Sequence, residues 1–371
     1  MLSYFAFAFL IILLLALGEF TRRNGFRNLK IKRTIKNNKV QIGEEIFVTT
    51  TIENKKWLPI SFLHLQQDIP SDLTTELNKN EVSLFLSIKW HERIKSTFKL
   101  KGEKRGVYLL KTVKLSLGDL FGFSSEVMQI DDYNEIIIYP PIKSIDSFYL
   151  VSNNIQGDNI IKRWIYKDPI FTRGIREYNV EDRMKDIHWP SSLKANKLMV
   201  KEYDYSSDRE LIIILNTQCG APYFSVTNSD VIESGIELSV SLINSSINMG
   251  TPTGFWTNAH ILGFRKDLKN MIEPFLNSFT EILELCGRMS SASPREDFAS
   301  FLSSNLMHFR KNAVYTVISC FFDDESIYML NKLKNAGMCI KIIDITPDAS
   351  LPEVNGIEKI ILTGGNANES N

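Results

Sequence analysis

The densest chemistry in the sequence lies between Trp164 and Tyr203, where charges of both signs are interleaved with large aromatic rings. Arg173, Gly174, Arg176, Glu177 and Tyr178 come first, followed by Asp182, Arg183, Asp186, His188 and Trp189. An imidazole close in sequence to two carboxylates is the material of a general acid–base pair, here His188 with Asp186 or Asp182. The guanidinium groups are fork-shaped donors that grip a phosphate or an acidic partner. However, opposite charges this close in sequence tend to satisfy one another, and no nucleophile or oxyanion donor accompanies His188. The residues therefore favour an ordered connector in which Arg176, Arg183, Asp182 and Asp186 pair over aromatic faces; a disordered linker would lack the aromatics. The alternative is an enzyme of unknown reaction centred on His188.

Outside this segment the usual catalytic signatures are missing: there is no HExxH, no Gly-rich phosphate loop and no GxSxG. Four cysteines (Cys219, Cys286, Cys320, Cys339) show no CxxC spacing and read as reduced core residues. Formal charge is zero, from 43 basic and 43 acidic residues, which excludes a general nucleic-acid binder. No cofactor is expected.

The elements that must hold these residues follow two patterns. From about residue 30 to 141 the apolar period is two: Ile46, Val48 and Ile52 share one face, Ile94, Phe98 and Leu100 another, Val113, Leu115 and Leu117 a third. Half-buried strands of this kind, separated by turns at Gly43, Lys101-Gly102 and Gly118-Asp119, predict an antiparallel β-sandwich. After about Asp208 the pattern changes. Leu211–Leu215 is a continuous apolar run, as a strand covered on both faces requires. Ile232, Ile236, Val240, Ile243 and Ile247 then recur at helical spacing, and a stripe of Ile272, Phe275, Phe279, Ile282 and Cys286 predicts a further helix. Ala313–Ser319 and Cys339–Asp344 predict buried strands around a helix near 325–335. Such alternation predicts a doubly wound α/β domain.

The N-terminus carries a different signal. Met1 to Gly18 has no charge, and Phe5–Leu17 is almost wholly apolar. Eighteen helical residues reach ~27 Å, just the thickness of a bilayer's hydrocarbon core. No Lys or Arg precedes the run, whereas Arg22, Arg23, Arg27, Lys30, Lys32, Arg33, Lys36 and Lys39 follow it. That order favours an uncleaved transmembrane helix over a signal peptide and puts the bulk of the chain in the cytoplasm.

The run from Arg173 to Tyr203 resembles the signature of the bacterial domain-of-unknown-function 58 family, roughly G-x-R-x-Y-x-x-G-D-x-x-R-x-I-D/H-W and then K-L-x-V-x-E. Gly174, Arg176 or its neighbour Glu177, Tyr178, Asp182, Ile187, His188 and Trp189 answer to the first part, and Lys197, Leu198, Val200 and Glu202 to the second. Lys104–Tyr108, Asp119–Phe123 and Ile138–Pro140 resemble its upstream elements. Glu181 replaces the turn Gly, Leu120 replaces the Pro of D-P-F-G, and one span stands where relatives usually have a two-span hairpin.

The resemblance implies a von Willebrand factor type A-like C-terminal domain and partnership with a MoxR-type AAA+ ATPase and its client proteins, with no enzymatic activity established for the family in general. It gives the layout 1–20 anchor, 21–39 basic juxtamembrane segment, 40–145 sandwich, 146–207 signature connector and 208–365 type A-like domain. The chain is then a non-enzymatic adaptor, single-pass in the bacterial inner membrane. Type A domains can hold Mg²⁺ through D-x-S-x-S and a later Asp. Here Asn216, Gln218 and Gly220 occupy the first three of those positions and Cys320 the last. A hard cation wants anionic oxygen, so the substitutions predict no metal. Asp323 and Asp324, a few residues on, read as the start of a helix.

Overall fold

An alternating strand has one apolar face, and two such faces bury each other across a gap of about 10 Å. The computed structural model describes residues 4, 7, 9, 12, 16, 19, 20, 23–75, 80–118, 125–145, 148–152, 155–156, 172–179, 184, 187–203, 210–265 and 267–363. The chain divides into two compact units, Met1–Pro141 with Leu262–Lys266, and Ile142–Ile261 with Asp267–Asn371.

The described strands of the first unit are β1 (Leu29–Ile35), β2 (Lys39–Gln41), β3 (Glu45–Asn54), β4 (Ile60–Asp68), β5 (Leu73–Thr75), β6 (Glu81–Ile88), β7 (Arg93–Gly102), β8 (Gly106–Gly118) and β9 (Ser125–Tyr139). They form two sheets, β1-β3-β7-β5 and β2-β9-β8-β4-β6. Ile46, Val48 and Leu100 of the first sheet pack on Leu110, Ile136 and Ile138 of the second. Ile52 packs on Leu63, Leu65, Val113 and Leu115 in a neighbouring cluster. This is the two-layer core of a β-sandwich. It is not wholly antiparallel as expected, because β2 pairs with β9 in parallel.

One irregularity in this core has a specific filler. The β8–β9 ladder slips between Leu110 and Thr112, which leaves carbonyls without ladder partners. The Arg33 guanidinium, its side chain fully buried, enters there. Its Nη2 donates to the Leu110 carbonyl at 2.8 Å and to the Asp132 carbonyl, and its Nε lies 3.3 Å from the Asp132 carboxylate. Burial pulls this guanidinium below its ordinary pKa, and the Asp132 charge opposes that pull.

The second unit contains β10 (Tyr149–Ser152), β11 (Ile155–Gln156), β12 (Thr172–Glu177), α1 (Trp189–Ala195), β13 (Met199–Tyr203), β14 (Glu210–Leu215), α2 (Ser229–Asn248), β15 (Thr253–Thr257), β16 (Ala259–Ile261), β17 (Met271–Phe275), α3 (Phe279–Arg288), β18 (Met289–Pro294), α4 (Phe298–Ser304), β19 (Ala313–Ser319), α5 (Asp324–Asn335), β20 (Cys339–Asp344) and β21 (Glu358–Thr363). An eight-stranded sheet runs β11-β10-β21-β20-β19-β14-β15-β17, and β12–β13 and β16–β18 form separate pairs. All of Leu211–Leu215 is buried, with Ile212 and Ile214 facing Trp256, Phe298, Phe301 and Tyr315.

This architecture corrects the expected fold. The doubly wound domain of type A kind gives way to a strand-rich unit with a mixed sheet, whose margins run antiparallel at β10–β21 and β15–β17. The alternation of strand and helix fails at two places. Between β15 and β19 the chain makes three further strands. Between β20 and β21 no helix forms among the described residues. The apolar stripe assigned to one helix divides as well. Met271–Phe275 is a strand, and the helix begins at Phe279. Pro274 explains this, since proline interrupts a helix but is tolerated on a sheet margin. Gly254 lets β17 come close, because a Cβ there would lie 2.7 Å from the Ile272 carbonyl oxygen.

The N-terminal expectations are corrected too. Most of the apolar run lies outside the described residues, and among the described residues no helix is long and apolar enough to cross a membrane. The single-pass anchor, and the inner-membrane placement drawn from it, are not supported. Length is the physical reason. The uncharged run ends at Glu19, whose carboxylate pairs with the exposed Arg23 guanidinium at 2.6 Å one turn later. The uncharged stretch is thus bounded at about eighteen residues, at the short end of what a span needs. Of the basic residues that follow, Lys30 and Lys32 line the wet face of β1.

Candidate functional site

The structure separates the two groups of singled-out residues by role. In the signature segment, β12 and β13 pair antiparallel, with Gly174 opposite Glu202 and Arg176 opposite Val200. Helix α1 lies between them in sequence. His188 is its N-cap: Nδ1 accepts the Ser191 N–H at 3.2 Å and lies 2.8 Å from the Ser191 hydroxyl. The His188 N–H donates to the Met199 carbonyl at 2.8 Å. Met199 N–H in turn donates to the Ser192 hydroxyl at 2.9 Å. One imidazole nitrogen is therefore committed to capping the N-terminus of α1, while the His188 backbone and the Ser192 hydroxyl tie α1 to β13. Arg176 reaches the Glu177 carbonyl at 3.1 Å, and Glu177 pairs with Lys197 at 2.9 Å on the surface. Trp189 is exposed. Asp182, Arg183 and Asp186 lie outside the described residues, as does the Arg173 side chain, so the expected cluster of ion pairs falls there too.

The second group converges at the ends of adjacent strands. Chain leaving β14 and chain leaving β19 meet where the Asn216 N–H donates to the Ile318 carbonyl at 2.9 Å. Asn216 is buried. Its amide donates to the Ser319 hydroxyl at 2.9 Å and to the Phe321 carbonyl at 3.0 Å. Its oxygen accepts the Gln218 N–H at 3.0 Å and the Asn258 amide at 3.0 Å. Asn258, also buried, accepts the Thr217 N–H at 2.9 Å and its hydroxyl at 3.1 Å. The remaining Asn258 donor reaches the Glu296 carbonyl at 3.2 Å. Gln218 bridges the Gly220 carbonyl and the Phe298 N–H, at 3.0 and 2.9 Å. Each amide both donates and accepts, which a carboxylate cannot do.

Gly220 is fixed by space. A Cβ there would come within 2.8 Å of Val226, so a serine does not fit without displacing that side chain. Farther along the rim, the buried Asp344 takes the Thr346 N–H and hydroxyl at 2.9 and 2.6 Å. Its other oxygen lies 3.6 Å from Lys359. Among the described residues no group of three or more His, Cys, Asp or Glu is placed to hold a metal ion. Asp323 is the N-cap of α5 and accepts the Ser326 N–H at 2.8 Å.

Two thiols complete the rim. Only Cys286 is buried, whereas Cys219 and Cys320 are partly exposed, and none of the four cysteines is in a disulfide. The Cys320 Sγ lies 3.4 Å from the Cys219 Sγ and 3.5 Å from the Gln218 carbonyl. The Cys320 S–H and the backbone N–H of Asn228, the N-cap of α2, both donate to Cys219. Together they bring its pKa down to about 7, against the opposing effect of burial. Cys320, facing that thiolate and partly desolvated, is pushed well up. Sequence reasoning missed this pairing because 101 residues separate the two cysteines. Asn258 was missed because the short strand before it, Thr253–Thr257, carries no clear period.

Comparison with known proteins bears on the family alone. An uncharacterized protein of Bacillus subtilis (strain 168), YeaD, is 22% identical over 235 residues, which are 62% of this chain and 55% of that protein. The chain thus spans about half the length of this curated relative. Among solved structures, the CARDB domain of a Pyrococcus furiosus protein in complex with di-metal ions is 9% identical with a TM-score of 0.20, covering 30% of this chain and 91% of that one. A non-cellulosomal cohesin from Archaeoglobus fulgidus is 15% identical with a TM-score of 0.19, covering 28% and 90%. Scores this low carry nothing over to this chain. The family model for "Protein of unknown function DUF58" matches residues 174–362, half of the sequence and both groups of residues above, and the chain belongs to that family.

Proposed function

We propose that this chain is a non-enzymatic adaptor whose second unit presents the rim at the ends of β14 and β19 to a MoxR-type AAA+ ATPase or to that ATPase's client protein. The observation that carries the reading is how the rim amides are spent. Asn216, Gln218 and Asn258 are bonded to one another and to the backbone. A catalytic or hard-cation site instead keeps carboxylates or donors aimed at where a ligand will sit. Beside this rigid rim, the loop after Gly220 exposes Phe224 and Val226, with the Tyr223 ring edge-on to Phe224 at 5.3 Å. Exposed aromatics next to a fixed polar frame are the usual anchors of a protein interface. The class of partner rests on the family resemblance.

The test is capture of a purified MoxR-type ATPase by the immobilised full chain in ATP, ADP and nucleotide-free states. Nucleotide-dependent capture, weakened ten-fold or more in Phe224→Ser, is the expected result. No capture in any nucleotide state sinks the ATPase as partner.

A further inference from the structure

From the contact between Cys219 and Cys320 we infer that this pair is a reversible thiol–disulfide site whose substrate is a low-molecular-weight disulfide. Three geometric facts carry this. The sulfurs are 3.4 Å apart, so closure to a disulfide length of about 2.05 Å needs only a small shift. They stand just past the ends of β14 and β19, neighbouring parallel strands in register at Leu215 and Ile318, and such strands are about 4.8 Å apart. Both are partly exposed, unlike the buried Cys286, so a small reagent can reach them. The thiolate character of Cys219 near neutral pH, fed first by the Cys320 S–H and then by the Asn228 N–H, marks it as the attacking sulfur.

The chemistry closes in two steps. The Cys219 thiolate attacks one sulfur of the small disulfide, whose S–S bond breaks and releases one thiolate, leaving a mixed disulfide on Cys219. The Cys320 proton is held first by the hydrogen bond to the Cys219 thiolate, then by burial, then by that thiolate's charge. The first and third vanish once Cys219 is capped, which eases the proton's release. Cys320 then yields its proton to the departing thiolate and attacks the Cys219 sulfur, expelling the second small thiol. Two protein thiols are oxidised and one small disulfide is reduced to two thiols. This inference does not depend on the adaptor reading.

The test treats the purified full chain with oxidised glutathione near neutral pH, followed by thiol counting, intact mass and non-reducing peptide mapping. The expected result is loss of two of the four thiols, a mass lower by two hydrogens, and one linked peptide pair containing Cys219 and Cys320, all reversed by dithiothreitol. Cys320→Ser should stop at the glutathione adduct on Cys219, and Cys219→Ser should leave Cys320 unmodified. Circular dichroism of both variants checks that they fold. Four surviving thiols, a wild-type adduct that never resolves, or a link to Cys286 or Cys339 would each overturn the inference.

Discussion

Lys56 shows how one side chain sets a pH dependence. Its ammonium donates to the Asn24 carbonyl at 2.8 Å and to the Gly25 carbonyl, and burial brings its pKa down to about 8. An unfolded lysine titrates near 10.4. Between those values the unfolded chain holds the proton and the folded chain does not, so stability rises with pH across roughly 8 to 10.4. The group is partly exposed, so the slope should fall well below the ~1.4 kcal/mol per pH unit of a full proton. Urea midpoints at pH 8 and 10 should show this rise in the wild type and lose it in Lys56→Met. Asn216 makes the opposite point, that some residues are fixed by what they cannot be. Asn216→Asp should cost about 2–3 kcal/mol, because a carboxylate cannot donate to Ser319 and would face the Phe321 carbonyl. The same variant should show no Mg²⁺-dependent rise in its midpoint. At this scale the sequence was partly legible. Local chemistry such as the Asp323 cap can be read from its neighbours. A partner such as Asn258, 42 residues from Asn216, cannot.

At the scale of elements, the β8–β9 bulge and Arg33 depend on each other. Without the guanidinium, the Leu110 carbonyl loses this donor and the Asp132 carbonyl is left with the longer bond from the Asn134 amide at 3.4 Å. Arg33→Met should therefore cost about 3 kcal/mol by urea denaturation. Asp132→Asn should cost only about 1, since its carboxylate is a third exposed and the carbonyl bonds survive. A near-equal loss in the two variants would mean that the ion pair, not the bulge, is what Arg33 serves. The strands of the first unit were legible because one wet face forces alternation, as in β3, where Ile46, Val48, Thr50 and Ile52 all point inward. The second unit misled where a short segment is buried on both faces. Thr253–Thr257 is wholly buried and has no period to read, and Ile272 with Phe275 mimics a helical stripe while lying in a strand. The N-terminal run misled for another reason. Its hydropathy was clear, but its length stood at the limit of a span.

For the molecule as a whole, closing Cys219 onto Cys320 would cross-link a 101-residue loop whose two ends lie in the second unit. Chain entropy sets a ceiling of about 4.7 kcal/mol for a loop of that size, and measured gains run nearer 2–4. The oxidised chain should accordingly need more denaturant to unfold than the dithiothreitol-treated chain. A lower midpoint would show that the strand ends resist closure. The order of the eight-stranded sheet has one more consequence, for synthesis. Tyr149 pairs with Thr363 and Val151 with Ile361, so among the described residues β10 has β11 on one side and the last described strand on the other. While a ribosome works through everything between, β10 must wait with an open edge, and β20 waits likewise for Lys359 and Ile360. Open edges recruit other strands. A nascent chain stalled after residue 354 would thus carry two unclaimed templates, which makes this unit a natural client for whatever shields emerging polypeptides.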